Sequence, residues 1–108
     1  MKIAYYGMRT GGAGLFITGV ANIQENGLGW TGELGVYDDK FLPGLSKLAA
    51  TMKENGTKAI LQIFHAGRMS DRKTLSGEQP VAPSAYAAGR AGSEVPRELT
   101  NDEIEEII

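Results

Sequence analysis

Two short apolar runs, Gly14-Leu15-Phe16-Ile17-Thr18-Gly19-Val20 and Ala59-Ile60-Leu61-Gln62-Ile63-Phe64, constrain this chain more than any other feature of its sequence. Runs of this length, free of strict polar alternation and punctuated by glycine, suit strands buried on both faces, as in a parallel sheet. Between them Leu45, Leu48, Ala49 and Met52 fall at i, i+3, i+4 and i+7, the apolar stripe of an amphipathic helix, which Gly56 closes. Asp38-Asp39 supply a capping, dipole-compatible start for that helix, and Pro43 is tolerable only near such a start. A shorter helix is expected over Ile3 to Arg9, with Ile3 and Tyr6 on one side and Gly11-Gly12 as the stop. Thr100-Asn101-Asp102-Glu103 is a capping box that opens a last helix running to Ile108.

Helix, strand, helix, strand, long loop and helix start make an α/β chain built of βα units. Two strands are too few for a stable parallel sheet, so further chain or a partner is required to cover their edges. The first helix lacks an N-cap and the last is cut short, which reads as a piece of a larger domain. Residues His65 to Glu98 carry no period, and a loop of that length inside a compact domain is usually either functional or a sign that an element within it has gone unassigned.

With 108 residues there is room for one domain at most. Apolar residues at 42% and charged residues at 22% are ordinary globular composition. The net charge of -2 comes from 11 basic and 13 acidic residues mixed along the chain, with no basic run suited to a nucleic acid. No window approaches the roughly 18 apolar residues that cross a bilayer, and Met1-Lys2-Ile3 leads into tyrosines rather than a signal segment. A cytoplasmic protein without a membrane partner is expected. The absence of cysteine excludes a thiolate zinc site, and a single histidine without a carboxylate cluster argues against a metal centre.

Gly27-Leu28-Gly29-Trp30-Thr31-Gly32 matches the G-x-G-x-x-G dinucleotide pattern, with Glu54 at about the expected distance of ~20 residues. That pattern must turn straight from a strand into a helix, whereas here the next helix begins only near Asp38 to Pro43, so a flexible connecting loop is the expectation. Gln62 interrupts an apolar strand, and its amide can either bond to the backbone of a core or read the edge of a planar heterocycle. Gln62, Phe64, His65 and Arg68 cluster where a strand ends, the end that carries the site in α/β barrels. His65 can donate to a ligand or serve structure, without an acid or nucleophile partner nearby. Arg68 can hold a carboxylate or phosphate, or pair with one of the acidic residues. The acidic tail Asp102, Glu103, Glu105 and Glu106 reads as a solvated face beside a helix N-terminus.

Four segments in order resemble the Old Yellow Enzyme family of NADH:flavin oxidoreductases, and particularly its branch similar to dienoyl-CoA reductases and bacterial ene reductases. They are Tyr5-Tyr6-Gly7-Met8-Arg9-Thr10-Gly11-Gly12-Ala13-Gly14-Leu15-Phe16-Ile17-Thr18, Gly35-Val36-Tyr37-Asp38-Asp39, Leu61-Gln62-Ile63-Phe64-His65-Ala66-Gly67-Arg68, and Pro80-Val81-Ala82-Pro83-Ser84-Ala85 followed by Pro96-Arg97-Glu98-Leu99-Thr100. The resemblance implies an FMN-binding (β/α)8 TIM barrel that takes hydride from NAD(P)H and passes it to an activated alkene. On that fold residues 1–108 are the N-terminal portion from helix 1 to the start of helix 3, roughly a third of a barrel, lacking strand 1 and strands 4–8.

The resemblance further implies that Gln62 contacts the flavin pyrimidine edge, that the backbone at Gly19 or Val20 approaches the flavin, and that Phe64 faces the substrate. His65 and Arg68 match an H-x-G-R run with a structural or loop-ordering role. No catalytic residue is carried over. The whole enzyme would act on an enone or enoyl compound, and the isolated 108 residues would be inactive and would self-associate or pair with the rest of the barrel. A stand-alone interaction or structural module derived from the same fold is the alternative, and nucleotide binding through the glycine loop is a third.

Overall fold

The computed structural model describes residues 3–108; Met1 and Lys2, which entered the reading of the N-terminus, lie outside the described residues. Helix α1 covers Ile3–Thr10, strand β1 Leu15–Asn22, strand β2 Leu34–Gly35, helix α2 Leu42–Lys53 and strand β3 Lys58–Phe64. Two short strands, β4 over Val81–Ala82 and β5 over Arg97–Glu98, precede helix α3 over Asn101–Ile107. No helix among the described residues is long and apolar enough to cross a membrane.

Strands β2, β1 and β3 lie side by side in that order, all parallel. Helices α1 and α2 cover one face, where Tyr6, Leu48 and Met52 form the buried core against Phe16, Leu34 and Ala59. The expected stripe on α2 therefore points inward, with Leu48 and Met52 buried. Gly7 lets the helices close up, since a methyl group there would stand 3.1 Å from Thr51 Cγ2. The Asp38 side chain accepts from Lys40 N at 2.8 Å, capping a 3-10 turn over Asp39–Phe41 that leads into α2. At Thr100 both bonds of the capping box are present.

The expected burial of β1 and β3 on both faces is not found. The face opposite the helices is open, leaving Leu15 52%, Ile17 53% and Ile60 46% exposed, and on the helix side Ile63 is 66% exposed beyond the reach of α2. Consequently Gln62 is exposed rather than buried. The glycine-rich connection after β1 holds a third strand, β2, and just past it Val36 N donates to Asn22 O at 3.0 Å. The long loop is also structured: β4 and β5 pair in parallel, and the Arg72–Glu94 ion pair at 2.9 Å ties its two arms.

One irregularity sets the phase of the sheet. Ile17 pairs with Ile60 but Val20 pairs with Gln62, so three steps on β1 match two on β3 and one extra residue bulges. Inside the bulge Thr18 Oγ1 accepts from Gln62 N at 3.1 Å, and Tyr6 Oη accepts from Gly19 N at 2.7 Å.

Candidate functional site

Paired residues in a sheet project to the same face. Ile17, Val20, Ile60 and Gln62 therefore share the open face of β1 and β3, with Phe64 beside Asn22 at the C-terminal rim. The Gln62 backbone is fixed by Thr18, while its side-chain amide makes no hydrogen bond among the described residues. A free primary amide amid Ile17, Val20 and Ile60 suits the polar edge of a flat, otherwise apolar ring system. That is the chemistry of a flavin pyrimidine ring, so the residues present fit such a group.

Gly19 and Val20 separate here. A Cβ on Gly19 would stand 3.0 Å from Tyr6 Oη, which puts this residue on the helix side of the sheet. Val20 shares the open face with Gln62.

The loop carrying the G-x-G-x-x-G pattern folds over the end of β3. Ala66 N donates to Gly27 O at 2.9 Å, and the Ser70 hydroxyl donates to Leu28 O at 2.6 Å. At Gly27 a Cβ would meet His65 Cδ2 at 2.8 Å, and at Gly29 it would meet Phe64 Cε1 at 3.3 Å. These glycines thus serve close approach to β3 rather than a phosphate, and the stretch is packed rather than flexible. Its product is the placement of Trp30, whose ring lies 6.1 Å from that of Phe64 at a tilt of 48°. Trp30, half exposed beside Phe64, is the residue that sequence reasoning missed; the flanking Gly29 and Gly32 were its only signal.

His65 Nδ1 accepts from Gly67 N at 3.0 Å, which puts the proton of the neutral ring on Nε2. Nε2 is buried without a partner among the described residues, and burial lowers the pKa of the imidazole from its usual 6.5. The imidazole ring packs against Gly27, while the bonds that join the loops after β1 and β3 are Ala66 N to Gly27 O and the Ser70 hydroxyl to Leu28 O. Gly67 takes φ +55°, a left-handed turn that begins a 3-10 turn over Gly67–Met69 carrying Arg68. Arg68 has no carboxylate partner among the described residues; its guanidinium carbon lies 5.6 Å from the centre of the Tyr86 ring. The acidic tail contributes Glu103, which Arg97 Nη2 grips at 2.7 Å and Nη1 at 3.0 Å. This pairing and the Thr100 backbone N–H hold its carboxyl down at about 2.

The family model described as the NADH:flavin oxidoreductase / NADH oxidase family matches residues 1–108. The chain is similar to NADH:fumarate oxidoreductase of Klebsiella pneumoniae, 44% identical over 98% of this chain and 12% of that protein. It is also similar to NADH:acrylate oxidoreductase of Vibrio harveyi, 45% identical over 98% of this chain and 11% of that protein. Among solved structures, morphinone reductase in complex with tetrahydroNAD superposes with a TM-score of 0.88 at 31% identity, covering 98% of this chain and 33% of that one. The chain thus spans about an eighth of the first of these relatives and a third of that barrel, and its α/β order is the order of one barrel segment. With its whole described length matched in sequence and in fold, the chain belongs to the NADH:flavin oxidoreductase / NADH oxidase family.

Proposed function

We propose that residues 1–108 carry the second and third strands of an FMN-binding TIM barrel, with β1 and β3 in those places and barrel strands 1 and 4–8 supplied by other chain. The whole protein is then an FMN-dependent NAD(P)H oxidoreductase that reduces the C=C bond of an α,β-unsaturated carbonyl or enoyl compound. The observation that carries this reading is the free Gln62 amide on the open apolar face, beside Val20. When bound, FMN supplies the hydride relay between NAD(P)H and the alkene. Gln62 orients the ring through its pyrimidine edge, and Val20 lines its approach. Gly19 acts indirectly, admitting Tyr6 to the bulge that seats both. Phe64 with Trp30 walls the mouth on the substrate side and excludes water. His65 packs against Gly27 where the two loops meet.

The names of the two curated relatives share NADH and differ in the acceptor, which supports the NAD(P)H half-reaction as the part this segment serves. On this reading the phosphate-binding end of the barrel and the proton donor to the alkene lie on the barrel strands outside residues 1–108, and the isolated 108 residues are expected to be inactive alone.

The test uses the natural full-length protein. A flavin spectrum is expected, and Gln62→Leu, which removes a hydrogen-bonding edge, should weaken FMN retention by about tenfold. A colourless protein, or an FMN dissociation constant indifferent to Gln62→Leu, would sink the reading.

A further inference from the structure

The chain has five arginines, at 9, 68, 72, 90 and 97. Four are occupied: Arg9 on Tyr5 O, Arg72 on Glu94, Arg90 on Met69 O, and Arg97 on Glu103. Only the Arg68 guanidinium has no hydrogen bond among the described residues, and it is also the one set just outside the end of β3. Its backbone is not loose. Met69 N donates to Ala66 O at 3.0 Å and Ser70 N to Gly67 O at 3.2 Å, while His65 Nδ1 receives Gly67 N, so the turn presenting Arg68 is fixed on both sides. Beside it stands Tyr86, 71% exposed, with the guanidinium carbon over its ring at 5.6 Å from the centre.

We propose that Arg68 and Tyr86 form a subsite for the adenosine diphosphate half of the dinucleotide reductant, an inference that rests on the NAD(P)H-dependent reading above. The match is chemical. An arginine fork grips phosphate oxygens two at a time, and an exposed aromatic ring offers a face on which a purine stacks. A free cation joined to a free ring is thus complementary to a nucleoside diphosphate, whereas a simple carboxylate would use the arginine and ignore the tyrosine. The order along β3 agrees: Gln62 lies on the open face, Phe64 at the rim, and Arg68 four residues further out. A dinucleotide whose nicotinamide reaches the flavin must lead its phosphates outward along such a line. The subsite contributes binding of the half that does not react, so it acts on capture of the reductant and not on the hydride step.

The experiment titrates ADP-ribose into the natural full-length protein by calorimetry, with Arg68→Gln, Arg68→Lys and Tyr86→Ser beside the wild type. Arg68→Gln and Tyr86→Ser should each weaken ADP-ribose by about tenfold, and Arg68→Lys by less because the charge remains. In parallel, steady-state reduction with NADH is compared with 1-benzyl-1,4-dihydronicotinamide, which has the reacting ring and no adenosine diphosphate. Arg68→Gln should raise the KM for NADH about tenfold more than the KM for the truncated donor. An ADP-ribose affinity that is absent, or indifferent to Arg68→Gln, overturns the subsite, as does an equal loss with both donors, the sign of a damaged fold. A colourless protein defeats the flavin reading alone, and the ADP-ribose titration still decides the subsite.

Discussion

At position 27 a methyl group would stand 2.8 Å from His65 Cδ2 and 3.0 Å from Cγ. Neither group can yield freely, because Ala66 N holds Gly27 O and Gly67 N holds the imidazole. Gly27→Ala should therefore cost ~1–3 kcal/mol of local stability, read as faster hydrogen exchange over residues 24–30 and 65–70. Exchange equal to wild type would show that the ring has room to move. His65 adds a pH dependence of definite sign. Its folded pKa is lowered by burial, so the folded state keeps the ring neutral where the unfolded chain already takes a proton. The stabilisation is complete above the unfolded value of 6.5 and is lost as pH falls through the lower folded value. Protonation also turns Nδ1 into a donor facing the Gly67 N–H. Protection of the Gly67 amide, corrected for intrinsic rate, should drop below that pH, and in His65→Phe it should be low throughout. The Glu103 carboxyl, at about 2, titrates in a more acidic window and does not obscure the effect.

The elements are joined by buried polar contacts as much as by their apolar stripes. Thr57, 2% exposed, directs its hydroxyl at Thr10 O and at Ala13 O, 2.7 Å away, tying the end of α1 to the start of β3. Thr57→Val removes the hydroxyl donor to Ala13 O, while Thr10 O keeps Ala13 N at 3.2 Å, and should cost ~1 kcal/mol, seen as loss of exchange protection in α1, with Thr57→Ser restoring it. An unchanged α1 in Thr57→Val would mean that water replaces the hydroxyl.

The helices were legible in the sequence because Leu48 and Met52 keep a 3.6-residue rhythm and Thr100 and Glu103 keep a capping rhythm. β1 and β3 were legible because branched residues fill them. The two-residue strands were not, since Leu34–Gly35, Val81–Ala82 and Arg97–Glu98 owe their pairing to backbone hydrogen bonds and carry no side-chain pattern. Gln62 stands out in sequence as the polar residue of an apolar strand, but its exposure depends on which face lacks a cover, which a local pattern does not encode. The glycines at 27 and 29 carry two explanations in sequence, a phosphate turn or a close approach, and only the position of His65 and Phe64 selects the second.

At the scale of the whole molecule, the radius of gyration is 16.0 Å, against about 13 Å for a compact domain of this length. The excess is that of an open segment, with apolar side chains bare on both sides of β3. The isolated 108 residues should self-associate through Leu15, Ile17, Ile60 and Ile63. Light scattering on the purified segment checks this, and a monodisperse monomer would contradict it.

The bulge between Ile17 and Val20 has a consequence for recombination. Before it, odd-numbered residues of β1 face the open side; after it, even-numbered ones do. It behaves as a spacer that the ladder absorbs: a chimera that loses the extra residue between 17 and 20 would pair regularly with residues 60 to 62, and Val20 and Asn22 would keep the open face. What such a chimera would forfeit is the pair of bonds made inside the bulge, Gln62 N to Thr18 Oγ1 and Gly19 N to Tyr6 Oη, so the safe junctions lie in the turns on either side of the strand.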